Sequence, residues 1–229
     1  WMMFTPAELF DLSQTEHVAV FDAEAPAWEA LPRLAEYLAT ELQPANHASV
    51  SPHAVIGDNV FLGEGTVVEP GAYIEGPAIM GRNCQIRHGA YVRANVIVGD
   101  GCVIGNSSEL KNCLLFNDCQ VPHFNYVGDS ILGHYAHLGA GVVLSNLKSV
   151  PGNVTVGHAV DAQDTGLRKF GALIGDRAEL GCNSVLNPGS IIGRDSVVYP
   201  NTNWRGVLPA NRIVKNRAQQ EVVERNPAQ

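Results

Sequence analysis

The segment from residue 106 to residue 130 holds the densest set of side chains that could do chemistry in this chain. It contains one histidine, His123, in the run His-Phe-Asn-Tyr-Val-Gly-Asp. An imidazole has an ordinary pKa of about 6.5, so it can accept a proton from an attacking group at neutral pH. A single histidine also serves often as a wall residue bonded to backbone. On the residues alone, both roles stay open.

The cysteines form neither a disulfide framework nor a zinc pattern. There are five, an odd number, and no two have the Cys-x-x-Cys spacing. We interpret them as reduced thiols, at Cys84, Cys102, Cys113, Cys119 and Cys182.

Charge and composition exclude some classes of protein. The formal net charge is −8, from 15 basic and 23 acidic residues, which argues against a general nucleic-acid binder. A local basic pocket for a small anion remains compatible with this charge. No apolar run approaches the roughly 20 residues that span a bilayer, and no basic-then-apolar leader begins the chain. We expect a cytoplasmic protein that has no nucleic-acid or membrane partner.

The elements that must position these residues show a period of six. From Val50 to Leu110 an aliphatic residue stands at every sixth position, and a small or β-branched residue follows four places later. Helices repeat at three and four and single strands at two, so neither fits. A period of six predicts an all-β chain, a left-handed parallel β-helix with three short strands in each coil. Residues three repeats apart then stack, so Cys84 should lie beneath Cys102.

The repeat is interrupted in two ways. The phase slips by one residue at Leu115 and again at Leu132, and these slips bracket His123. The pattern then vanishes and resumes at Ile174, which predicts a loop over residues 147–168 extruded from one corner. Loops of this length in a compact domain are often functional.

The chain therefore divides into three regions. Residues 1–49 should form a helical cap on the first coil, because they combine polar glutamates with an apolar stripe. Residues 50–205 should form the β-helix, and residues 206–229 a C-terminal tail with a partly helical stretch over 218–224. The apolar stripe of the cap consists of Trp28, Leu31, Leu34 and Leu38.

Residues 80–204 resemble the acetyltransferase domain of bacterial N-acetylglucosamine-1-phosphate uridyltransferase/glucosamine-1-phosphate acetyltransferase and its archaeal sugar-1-phosphate nucleotidylyltransferase relatives. The motifs are the His123 run, Leu-Gly-Ala-Gly at 138–141 and Arg-Lys-Phe-Gly-Ala-Leu-Ile-Gly-Asp at 168–176. The resemblance implies a homotrimer that uses acetyl-CoA as co-substrate and an amino-sugar phosphate as acceptor. Residues 1–49 are too short to replace the family's nucleotidyltransferase domain, so uridylyl transfer is not expected.

The resemblance also implies a role for individual residues. His123 would be the general base on the sugar amine, and the backbone N–H of Ala140 would stabilise the oxyanion. The sugar phosphate would be held by Arg87, Lys111 and Lys169, and the sugar with its amine by Tyr126 and Asn146. Coenzyme contacts would come from Ala140, Leu147 and Cys182.

Three positions depart from the family pattern. His137 replaces an asparagine, Leu147 replaces an aromatic residue, and Cys182 replaces a serine. These departures motivate a second hypothesis, in which the chain is a non-catalytic protein that binds or regulates sugar phosphates.

A third hypothesis is a zinc-dependent β-helix hydratase, suggested by His134 and His137. The histidine pair spaced five apart that such a site needs is missing. We therefore predict no metal.

Overall fold

The computed structural model describes residues 4–157 and 162–217. Over these residues the chain forms a parallel solenoid with three flat faces, named here A, B and C, which hold nine, nine and eight strands. The predicted β-helix is confirmed. Face A consists of Ala45–Asn46, Val60–Leu62, Ala78–Met80, Val96–Val98, Cys113–Leu115, Ile131–Leu132, Ala172–Ile174, Ser190–Ile192 and Val207–Leu208.

Faces B and C follow in each coil. Face B consists of Ser49–Val50, Val67–Val68, Gln85–Ile86, Val103–Asn106, Gln120–His123, His137–Leu138, Glu179–Leu180, Val197–Val198 and Ile213–Val214. Face C consists of Val55–Ile56, Tyr73–Ile74, Tyr91–Val92, Glu109–Lys111, Tyr126–Gly128, Val143–Leu144, Val185–Leu186 and Asn203–Trp204.

The six-residue period fills the interior of the solenoid. Each aliphatic position points inward and stacks on its equivalent in the next coil, so that Val98 lies above Met80 and both are fully buried. Cys84 and Cys102 lie inside neighbouring coils, and the Cys84 thiol contacts the Gly99 carbonyl at 3.1 Å. Burial raises the pKa of the Cys102 thiol well above its ordinary value, so it remains protonated.

The corners are turned by residues that tolerate a left-handed backbone. Asparagine and aspartate visit positive φ more readily than other residues with a Cβ, because their short polar side chains bond locally. Several corners use them with φ between 55° and 63°, including Asn83, Asp118, Asn183 and Asp195.

Both phase slips appear as short coils. Val98 pairs with Leu115, and Leu115 pairs with Leu132, so each of these steps is shorter by one position than the regular step from Met80 to Val98. The next step along face A, from Leu132 to Ile174, is much longer because it includes the inserted loop. The coils that hold His123 are therefore the ones in which the spacing changes.

The N-terminal segment does not cap the first coil as predicted but lies along face A. Phe10 stacks on Phe116 with ring centroids 5.0 Å apart, and Trp28 approaches Phe170 at 5.9 Å. The physical reason is that face A is apolar outside as well as inside. Its buried outward residues are Ile79, Ile97, Leu114, Ile131, Leu173 and Ile191. The segment contains helices Pro6–Leu9 and Leu34–Glu41 and 3₁₀ turns Leu12–Gln14, Val18–Val20 and Ala27–Arg33.

The loop at 147–168 also differs from the extruded loop that the sequence predicted. It folds back as an antiparallel hairpin of Thr155–Val156 and Gln163–Asp164. Val154 and Val156 are buried in the same cluster as Trp28, because outward apolar side chains of face A are available to them. The loop thus helps to cover face A.

The C-terminal boundary differs as well. Val207–Leu208 and Ile213–Val214 pair with the preceding coil, so the solenoid continues past residue 205. The predicted helical stretch at 218–224 lies outside the described residues. Within the part of the chain that is described, no helix is long and apolar enough to cross a membrane.

Candidate functional site

Three of the predicted residues form a column at the corner between faces B and C. The backbone N–H of Gly141 donates to the His123 carbonyl at 3.0 Å, and the backbone N–H of Asn183 donates to the Ala140 carbonyl at 2.8 Å. His123, Ala140 and Cys182 therefore occupy the same position in three consecutive coils, with coils spaced by about 4.8 Å. The predicted general base, oxyanion donor and coenzyme contact lie beside one another.

The backbone at His123 is held by a buried amide. Asn125 is only 2% exposed, and its side-chain oxygen accepts the His123 N–H at 3.0 Å. Its side-chain nitrogen donates to the Gly139 carbonyl in the next coil at 2.8 Å. The imidazole itself is exposed. Asn125 thus fixes the backbone corner from which the imidazole projects, a positioning role that the sequence analysis missed although Asn125 lies inside the quoted motif.

A second group, named here the acceptor cluster, consists of the predicted residues Lys111, Tyr126 and Asn146 together with Asp129, and it meets at the end of face C that leads to face A. Tyr126 begins its face C strand, and its phenol reaches over Gly128 to that end. Asp129 is 5% exposed. Lys111 Nζ lies 3.4 Å from Asp129 Oδ2, and the Asn146 side-chain amide donates to the same oxygen and to Tyr126 Oη at 3.1 Å. Lys111, Tyr126 and Asn146 were each predicted to bind the acceptor, but Asp129, the carboxylate that joins them, was not predicted.

The cluster is closely packed. A Cβ on Gly128 would lie 2.5 Å from Tyr126 Oη and 2.7 Å from Asn146 Nδ2, so a larger residue would require both side chains to move. Burial raises the pKa of Tyr126, and the hydrogen bond from Asn146 works against that rise. The phenol is therefore a neutral hydrogen-bonding group at physiological pH.

The predicted phosphate clamp is not gathered at one place. Lys169 is exposed near the acceptor cluster, where the next residue, Phe170, donates its N–H to the Asn146 carbonyl at 3.0 Å. Arg87 follows a face B strand two coils below His123 and bonds Gln85 Oε1 at 2.9 Å. It thus lies at the opposite end of face C from Lys111.

A different arginine is the neighbour of Lys111. Val92 pairs with Leu110, so Arg93 lies directly one coil below Lys111 on face C. Arg93 bonds Glu109 Oε1 at 3.0 Å. The sequence could have indicated Arg93, because its separation from Lys111 along the chain equals the length of one regular coil.

The positions that depart from the family pattern lie apart from one another. His137 is on face B, where its Nδ1 donates to Glu179 Oε2 at 2.7 Å, since an ionised carboxylate can only accept. Leu147 is 44% exposed and follows Asn146, whereas Cys182 belongs to the column at the other corner. The predicted coenzyme contacts are therefore divided between the two ends of face C.

No metal cluster is found among residues 4–157 and 162–217: no three His, Cys, Asp or Glu side chains there could hold an ion together. His134 bonds the Asn117 carbonyl at 2.9 Å, and Asp118 lies 3.7 Å from the same ring nitrogen. Among the described residues, no third ligand lies with this pair.

Comparison with known families agrees with this fold. Residues 53–94 match the bacterial transferase hexapeptide family, and residues 74–167 match the GMPPB C-terminal domain. The resemblance inferred from the sequence to hexapeptide-repeat acetyltransferase domains is confirmed by these matches and by the relatives described next.

Curated relatives of the same kind cover only part of the chain. The bifunctional protein GlmU of Methanococcus maripaludis is 40% identical over 149 residues, which are 64% of this chain and 35% of that protein. The bifunctional sugar-1-phosphate nucleotidylyltransferase/acetyltransferase of Sulfurisphaera tokodaii is 35% identical over 97 residues, 42% of this chain and 24% of that protein. The chain thus matches about a quarter to a third of these relatives.

Two solved transferase structures align with this chain at low TM-scores. A perosamine N-acetyltransferase from Caulobacter crescentus, in complex with CoA and GDP-perosamine, gives a TM-score of 0.33 at 20% identity and covers 72% of this chain and 51% of its own. The Francisella novicida UDP-N-acetylglucosamine acyltransferase gives a TM-score of 0.31 at 16% identity, and the alignment covers 70% of this chain and 60% of that chain.

Proposed function

We propose that this chain is an acetyl-CoA-dependent N-acetyltransferase that acts on an amino-sugar 1-phosphate. The main support is the arrangement at face C. A proton acceptor, His123, lies one coil below Ala140 at one end of the face, and the acceptor cluster lies at the other end. The names of the curated relatives support the same class of reaction.

In the proposed reaction the sugar amine attacks the thioester carbon of acetyl-CoA, which forms the C–N bond and breaks the C–S bond. His123 takes the amine proton and returns it to the departing thiolate. The Ala140 N–H would face the oxyanion, and Tyr126 and Asn146 would orient the sugar. Cys182 and Leu147 would contact the coenzyme. We also propose the homotrimer implied by the resemblance, with partner subunits completing the site.

The test is release of coenzyme A thiol with acetyl-CoA and a panel of amino-sugar 1-phosphates. His123→Ala should lower turnover by about 10²-fold or more, the range typical for loss of a general base. The matched control is His53→Ala, because His53 is an exposed histidine in the first coil, far from the column.

Near-full activity in His123→Ala, or an equal loss in His53→Ala, would contradict the mechanism. Calorimetry separates the non-catalytic hypothesis from the enzyme. Binding of the sugar phosphate without any binding of acetyl-CoA would favour a binding or regulatory protein instead.

A further inference from the structure

The corner that carries His123, Ala140 and Cys182 holds one bulky residue, Phe124, in a left-handed backbone conformation with a φ of 52°. A Cβ is crowded in this conformation, so large apolar residues rarely adopt it. The equivalent residues of the other coils, which also have positive φ, are small or polar: Gly71, Gly89, Ser107, Gly141, Asn183 and Asn201. Among these corner residues, the aromatic side chain occurs in the coil of the proposed base.

Packing does not explain the choice of phenylalanine. The side chain of Phe124 is 63% exposed, and no aromatic contact among the described residues includes its ring. Tyr135 has a similar φ of 57° at another corner, but its ring lies 4.3 Å from the ring of His134. A strained residue whose ring is left exposed indicates a role at a binding site rather than in the fold.

A notch opens directly above Phe124. The backbone N–H of Phe124 donates to the Asn106 carbonyl at 2.8 Å, and that of Gly141 donates to the His123 carbonyl, so Gly141 lies one coil above Phe124. Gly141 has no side chain, and a Cβ added there would collide with Asn183 Oδ1, which closes the notch from above. The notch is thus bordered by Phe124 below, by the Asn183 amide above and by the backbone of Ala140, the residue before Gly141.

We infer that Phe124 forms the floor of an acyl pocket and restricts the donor to a short acyl chain. The inference rests on the proposed function, in which the thioester oxygen faces the Ala140 N–H. The carbon chain beyond that carbonyl then extends over Gly141 towards the Phe124 ring. A methyl group fits in contact with the ring, whereas a longer chain has to displace it. Phe124 is therefore a specificity-determining residue for the proposed reaction.

Calorimetry on the full chain with acetyl-CoA and butyryl-CoA tests the inference, and the wild type should bind acetyl-CoA more tightly. Phe124→Gly removes the ring and keeps the corner, because glycine adopts a positive φ without strain. This variant should raise the affinity for butyryl-CoA relative to acetyl-CoA about tenfold, which corresponds to about 1.4 kcal/mol and is near the value of two more buried methylenes. Phe124→Tyr should keep the wild-type ratio.

The matched control is Tyr135→Gly, which makes the same backbone change at the other corner and should leave the ratio of the two affinities unchanged. Urea midpoints show whether both glycine variants are folded. An unchanged ratio in Phe124→Gly, or an equal change in Tyr135→Gly, would overturn the inference. A wild type that binds butyryl-CoA as tightly as acetyl-CoA would do the same.

The thiol-release assay distinguishes this inference from the proposed function. A wild type that binds acetyl-CoA selectively but releases no thiol with any amino-sugar 1-phosphate refutes the proposed function and leaves the acyl pocket standing. An active enzyme whose preference for acetyl-CoA persists in Phe124→Gly refutes the acyl pocket alone. Failure of the wild type to bind either acyl-CoA would overturn both.

Discussion

Replacement of Asp129 by asparagine probes the buried carboxylate at the centre of the acceptor cluster. Asp129 is 5% exposed and has a φ of 47°. Asparagine tolerates this left-handed backbone, so Asp129→Asn removes the charge without adding backbone strain. The change therefore isolates the electrostatic role of the carboxylate.

The size of the effect follows from the contacts that are lost. The carboxylate accepts hydrogen bonds from Asn112 Nδ2 at 2.9 Å and from Asn146 Nδ2, and it pairs with Lys111. Hydrogen bonds to a charged group each contribute about 1.5–3 kcal/mol. An amide at position 129 can still accept, but its NH₂ group must face one of the surrounding donors. We expect Asp129→Asn to lower the free energy of unfolding by about 2–3 kcal/mol.

Urea denaturation measures this loss as a lower midpoint at an unchanged m-value. The matched control is Asp195→Asn, at another aspartate with a positive φ, 56°, whose bonds to Arg177 lie at the surface. Exposed ion pairs contribute about 0–1 kcal/mol, so the control should lose less than about 1 kcal/mol. Equal losses in the two variants, or a loss below about 0.5 kcal/mol in Asp129→Asn, would refute the role of buried charge.

Two further changes test the coil and the N-terminal segment. A Cβ on Gly105 would lie 1.6 Å from the Pro122 carbonyl oxygen, so Gly105→Ala should lower the free energy of unfolding by about 3 kcal/mol. The control Gly166→Ala has a positive φ but open space around the new Cβ, and it should lower that free energy by about 1 kcal/mol. Urea midpoints that rank the two variants the other way would contradict this prediction. Burial lowers the pKa of His17 below its ordinary value of 6.5. The unfolded chain therefore takes up a proton at a higher pH than the folded chain does, and the free energy of unfolding should fall as the pH drops through about 6.5. His17→Gln should remove that part of the pH dependence, and matching profiles for variant and wild type between about pH 7.5 and 5.5 would disprove it.

The sequence by itself determined the solenoid and the direction of most side chains. An inward position such as Ile86 or Ile104 returns at every sixth place, and its burial depends on the adjacent coils alone. A strictly local repeat of this kind can be recognised without knowledge of distant contacts. The stacking of Cys84 and Cys102 follows from the same period.

The covering of face A could be foreseen only in part. The triplets Val96–Val98 and Cys113–Leu115 are apolar throughout, which indicates strands buried on both sides. The sequence does not say what covers their outward residues. Phe10 and Val154 come from distant parts of the chain, and only the folded structure brings them to the same cluster.

Within the candidate site, the sequence determined which residue types are present, and the tertiary structure decided which of them meet. Lys111 was predicted to bind the sugar phosphate, and Tyr126 and Asn146 to bind the sugar; the three lie together, and the carboxylate that joins them is Asp129. The predicted Arg87 lies at the far end of face C, and Arg93 takes the place beneath Lys111. Arg93 is one regular coil from Lys111, whereas Asp129 and Asn146 meet because of the register of the shortened coils that follow. Where a coil is shortened or includes a loop, neighbours are set by strand pairing, and strand pairing is a property of the folded chain.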